Sequence, residues 1–125
     1  MFDWAEFLRL ARALAAGRAE TPPTEAGLRS AVSRAYYAVF NEAVERAIEH
    51  GLDPGPKRDA RGCKQSSHKA CWAAYKGDTS LRQVGIDGER LHLKRIDADY
   101  SPTRRNWVLE AEDAIESAAQ LRLRL

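Results

Sequence analysis

Apolar residues recur at helical spacing along most of this chain, and no segment alternates like a strand over five or more residues. Phe2, Leu8, Leu10, Ala11, Leu14 and Ala15 mark a first helix, which Gly17 closes. Thr21-Pro22-Pro23-Thr24 reads as a connector and a new helix start, since proline is tolerated in a first turn. The strongest pattern runs from Thr24 to about His50. Its buried stripe is Leu28, Ala31, Val32, Ala35, Tyr36, Val39, Phe40, Ala43, Ala47 and Ile48, and Gly51 stops it. Asp53-Pro54-Gly55-Pro56 cannot continue a helix, and residues 52–65 are expected to form an exposed loop, basic from residue 57 onward.

Beyond the loop, Ser66 or Ser67 can cap a short helix beginning near His68 and holding Ala70, Cys71, Trp72, Ala74 and Tyr75. Gly77-Asp78-Thr79-Ser80 breaks it, and Asp87 can cap the next helix, which runs through Arg90 to Tyr100. Ser101-Pro102 is expected to end that helix and start the last one. There Trp107, Val108, Ala111, Ala114, Ile115, Ala118, Ala119 and Leu121 form the apolar face. The expectation is an all-α bundle of two long helices with shorter flanking helices, and its 125 residues make a single domain able to bury its own core.

Charge sharpens this picture. The chain carries +2 overall, but Lys57 to Arg105 hold twelve Lys/Arg against six Asp/Glu, while the flanking segments are each net acidic. A basic centre suits an anion such as RNA or a nucleotide, although a solvated Lys/Arg-rich loop explains the same count. Charges recur too often for a membrane span, and the N-terminus lacks the basic region and continuous apolar stretch of a signal peptide. A cytoplasmic location is therefore the default expectation. Cys63, His68 and Cys71 have a C-x4-H-x2-C spacing that fits no closed zinc pattern, so the two thiols are read as reduced and no metal or cofactor is expected.

Two polar stripes carry the candidate chemistry. At about 100° per residue, Ser30, Arg34, Tyr37 and Asn41 share one helical face, with Ser33 close beside it. Hydroxyls, an amide, a guanidinium and a phenol suit a buried polar network better than a solvated surface. The same groups would also serve simply to tie two helices together. On the later helix His92, Arg95 and Asp99 share a face, and Arg95 and Asp99 can pair at i, i+4. Buried, such a pair would hold a guanidinium in a fixed pose with donors left for a phosphate. Exposed, it would contribute little.

The segments Ser33–Ala43 (SRAYYAVFNEA), Ser66–Tyr75 (SSHKACWAAY) and Arg95–Tyr100 (RIDADY) resemble, in order, three blocks of a HEPN subfamily, over roughly residues 4–121. That resemblance implies an up-and-down helical bundle that dimerises, often with a composite site at the interface. Many HEPN domains are metal-independent ribonucleases with an Arg-x(4–6)-His motif, whose arginine steadies the phosphate while the histidine moves a proton. Others bind nucleotides or RNA, or partner small nucleotidyltransferases in toxin–antitoxin and defence modules.

This chain departs from the ribonuclease pattern where it matters. Tyr100, not histidine, follows Arg95 at the motif spacing, and a phenol is a poor base at neutral pH. Arg61 and His68 match the spacing formally, but across a loop-to-helix junction. The candidate catalytic residues are therefore His68, Arg95 and Arg34, and the candidate substrate-binding residues are Tyr37, Asn41, Asp99 and Tyr100. The resulting expectation is a HEPN-like homodimer that binds or acts on RNA or nucleotides with weak or no ribonuclease activity. The alternatives are a non-catalytic partner of a nucleotidyltransferase antitoxin, with Tyr37 or Tyr100 as a residue to be modified, and a structural dimer scaffold.

Overall fold

The computed structural model describes residues 2–18, 20–56, 61–63 and 66–125. Their order is α1 (Ala5–Ala16), α2 (Glu25–Glu49), α3 (Ser67–Lys76), α4 (Arg82–Tyr100) and α5 (Trp107–Arg122). Among the described residues no strand forms; an isolated bridge between Arg18 and Thr21 closes the turn after α1. The fold is an all-α bundle with α2 at its centre, packed against each of the other four helices.

Small side chains explain the central place of α2. Ala31, Ala35, Ala38, Ala43 and Ala47 are fully buried, so neighbouring helices approach its backbone closely, while Val32, Tyr36, Val39 and Phe40 fill the spaces between them. Its ends are well specified. The Thr24 hydroxyl accepts from the Gly27 N–H at 3.0 Å. At the other end Gly51 takes a φ of 76°, and the Gly51 and Leu52 N–H groups return to the Ile48 and Ala47 carbonyls, a Schellman motif. Leu52 folds back against the core, so the segment after α2 is not wholly exposed as expected. Residues 57–60 and 64–65 of the expected 52–65 loop lie outside the described residues.

Other expectations need correction. The fourth helix starts at Arg82, not at an Asp87 cap. The Asp78 carboxylate collects the Ser80 and Leu81 N–H groups just before the helix, whereas Asp87 sits inside it and accepts from Gln83 and Arg124. Gly85 and Gly88 lie buried inside this helix. They are glycine because α3 crosses over them: a Cβ on Gly85 would lie 2.6 Å from the Lys76 backbone nitrogen, and one on Gly88 would enter the Trp72 ring. The last helix starts at Trp107 under an Asn106 cap, so residues 102–106 are a linker rather than its first turn. Leu10, Ile48 and Val108, placed on apolar stripes by their spacing, are exposed.

Gly88→Ala gives a direct check of the α3–α4 contact. On an exposed helix the change would gain about 1 kcal/mol from propensity. Here the methyl meets a buried indole, and overpacking at about 1–3 kcal/mol outweighs that gain. Urea unfolding should show a net loss, and a stabilised Gly88→Ala protein would refute the close approach.

Candidate functional site

The polar stripe of α2, the start of α3 and the last three turns of α4 meet in one cluster. Their placement depends on local devices. Ser66 caps α3 by accepting from the Lys69 N–H at 3.1 Å, which sets His68 in the first turn. The Arg29 guanidinium donates to the Ala98 and Ser101 carbonyls at 3.2 and 2.6 Å and lies over the Trp107 ring, pinning the end of α4 and the α5 start to α2.

Asp99 joins α2 to α4 within the cluster. One of its oxygens accepts from Arg95 Nη1 at 3.2 Å and from the Ser33 hydroxyl at 3.4 Å, and Ser33 in turn accepts from Arg34 Nη2. Tyr37 lies between the two cations, its ring centre 5.2 Å from the Arg34 guanidinium and 5.3 Å from that of Arg95. Arg95 is only 8% exposed, and its Nε is buried with no protein acceptor among the described residues. Asp99 is thus bonded directly by Arg95 and linked to Arg34 through the Ser33 hydroxyl.

An aromatic layer lies beside this network. The buried Tyr36 hydroxyl accepts from the Trp72 indole N–H at 3.1 Å and lies 2.8 Å from His68 Nδ1. With Trp72 as donor, the phenolic proton is assigned to the bond with His68, which leaves a neutral His68 protonated on Nε2. Burial raises the Tyr36 pKa, so the phenol keeps that proton. The His68 ring is stacked between Phe40 at 4.1 Å and His92 at 4.8 Å, the two imidazoles within 8° of parallel. Burial first, then His92 and Arg95, lower the His68 pKa from 6.5 to about 4. His92 is lowered as well, by burial and by Arg95, against the opposing pull of Glu89.

Arg34, Tyr37, His68, Arg95 and Asp99 thus belong to one cluster. Its two halves, the Arg–Asp relay and the histidine stack, are connected through Tyr36, Tyr37 and His92. Asn41 is not drawn in, because its amide donates to the backbone carbonyl of Tyr37. Tyr100 stands 75% exposed at the last residue of α4. Arg61 lies on the exposed segment 61–63. Sequence reasoning assigned Tyr36 to the core, placed Trp72 only in the short helix after the loop, and put His92 on the Arg95–Asp99 face without naming it a site residue. The available signal was the position of His92 three residues before Arg95 on the same helical face.

A general base at neutral pH needs a free lone pair and a pKa near 7. His68 has neither: Tyr36 occupies Nδ1, Nε2 carries the proton, and the ring resists protonation. The same resistance makes a stability prediction. Unfolded, His68 titrates near 6.5; folded, near 4. Between these values the unfolded chain binds more protons, so this contribution is fully present above the unfolded value and is lost as the pH falls towards 4. A dry ring would contribute about 3 kcal/mol; solvent screening of this partly exposed one reduces this to about 1–2 kcal/mol. Urea unfolding at pH 7.5 and pH 5 should show the decline, and a His68→Gln variant should flatten it. Equal slopes in the two proteins would contradict the assignment.

No protein-family model, curated protein or solved structure matches this chain.

Proposed function

We propose that this chain is a HEPN-like component of a prokaryotic toxin–antitoxin or defence module that binds RNA or a nucleotide and has little or no ribonuclease activity. The observation that carries the reading is the buried Arg95 guanidinium, held by Asp99 beside Arg34, with an Nε that meets no acceptor among the described residues. Two cations against one carboxylate leave a local positive charge, and a phosphate oxygen supplies the missing acceptor. The blocked Nδ1 of His68 and the exposed Tyr100 at the motif spacing favour binding over cleavage. A homodimer with this face at its interface belongs to the same proposal.

The test is to incubate the purified chain with total and single-stranded RNA in EDTA and follow both cleavage and fluorescence anisotropy. Binding without cleavage, weakened at least tenfold in Arg95→Ala and Arg34→Ala, is the expected result. Robust metal-independent cleavage by the wild type would overturn the non-catalytic reading. The exposure of Tyr100 favours one second reading, a partner of a nucleotidyltransferase that modifies this residue. If neither RNA nor nucleotide binds, that reading gains. A mass increase on Tyr100 after co-expression with a neighbouring nucleotidyltransferase would then identify it.

A further inference from the structure

The anion reading leaves the stacked imidazoles without a task. His68 and His92 lie parallel at 4.8 Å, with Phe40 closing the far face of His68. The charged and titratable groups around them come from three helices. Tyr36 and Tyr37 approach from α2, with Arg34 beyond Tyr37. Cys71 lies beside Tyr36 on α3. Glu89, Arg95 and Asp99 come from α4. Of the two carboxylates, Glu89 pairs with Lys76 and Asp99 with Arg95. A proton added to either ring therefore meets the Arg95 charge, and on His92 the opposing pull of Glu89, already paired with Lys76, is the weaker of the two. Freeing the lone pair needed to accept it is also costly on His68, where the Nδ1 lone pair is engaged by the Tyr36 hydroxyl.

An anion seated on Arg34 and Arg95 reverses this balance, because its charge offsets the guanidiniums and favours an imidazolium beside them. We infer that anion binding at this cluster is proton-linked: the His68–His92 pair takes up a proton when a phosphodiester binds, so affinity rises as the pH falls. No bond is made or broken; the proton comes from solvent and stays on the imidazole pair while the anion is bound. By reciprocity the bound anion makes the pair easier to protonate. This inference rests on the proposed anion site and adds its regulation: the module would hold its ligand more tightly in acidified surroundings.

Oligouridylate is the probe, since neither its phosphodiesters nor its bases titrate between pH 5.5 and pH 8. One linked proton predicts affinity about tenfold tighter at pH 5.5 than at pH 8. Calorimetry of the wild type at pH 6, in two buffers of different ionisation enthalpy, should show proton uptake, and this needs no variant to fold. His68→Gln/His92→Gln should bind with a flat pH profile, while His50→Gln, at the far end of α2, should retain the slope. Binding that needs Arg34 and Arg95 but is independent of pH would overturn the linkage and leave the anion site standing. A slope that survives the double histidine variant would also overturn it. No binding at either pH would remove the site and the linkage together.

Discussion

Phe40→Ala is expected to lower the unfolding free energy by about 3–5 kcal/mol, the range for emptying a well-packed aromatic position. Phe40 is 7% exposed and stacks on His68, lies nearly parallel to Tyr36 at 5.7 Å, and meets Trp72 at 6.3 Å. Its ring thus joins α2 to α3 alongside Tyr36, whose hydroxyl bonds to Trp72 and His68. Urea unfolding measures the loss. Phe40→Leu, which refills most of the volume, should recover more than half of it. A loss below about 1.5 kcal/mol for Phe40→Ala would mean that the site collapses around the smaller side chain. The substitution has a second consequence. Burial is the main cause that holds His68 neutral, and removing the ring that covers one face admits water. The His68 imidazole should then titrate closer to its ordinary value, readable by its ring resonances in NMR.

The second large effect concerns the buried cation. Asp99→Ala removes the carboxylate that pairs with Arg95 and accepts from Ser33. Breaking a fully buried pair costs about 3–5 kcal/mol; with Asp99 29% exposed against 10% for Arg95, about 2–4 kcal/mol is expected. Arg95→Met should cost less than half as much, because it removes the charge with its need for a partner and keeps the packing against Tyr36 and Tyr37. The double variant should be close to Arg95→Met alone. Arg95→Met proving more costly than Asp99→Ala would show that the guanidinium is satisfied without Asp99. Anion affinity separates the two roles further. Asp99→Ala leaves both guanidiniums in place and should preserve binding in the fraction that folds, whereas Arg95→Met should abolish it.

What the sequence by itself determined was local. The span of α2, the Ser66 cap and the helical faces follow from periodicity and capping chemistry, which act over three or four residues. The same periodicity put Arg95 and Asp99 within reach of each other, since neighbours at i, i+4 meet on any helix. It misled where a local signal had a distant cause. Asp87 reads as a helix cap in sequence, but it sits inside α4, where Gly85 and Gly88 leave room for Trp72 and Lys76 of α3 to lie over them. Ile48 and Val108 fit apolar stripes, yet both stand exposed. Only the tertiary structure decided that Arg95 is buried, that His92 stacks on His68, and that the Tyr36 hydroxyl accepts from Trp72 and meets His68 Nδ1. A helical repeat states which side chains share a face. Which face meets which depends on contacts between residues distant in the chain, and these contacts set the burial and charge that give the cluster its chemistry.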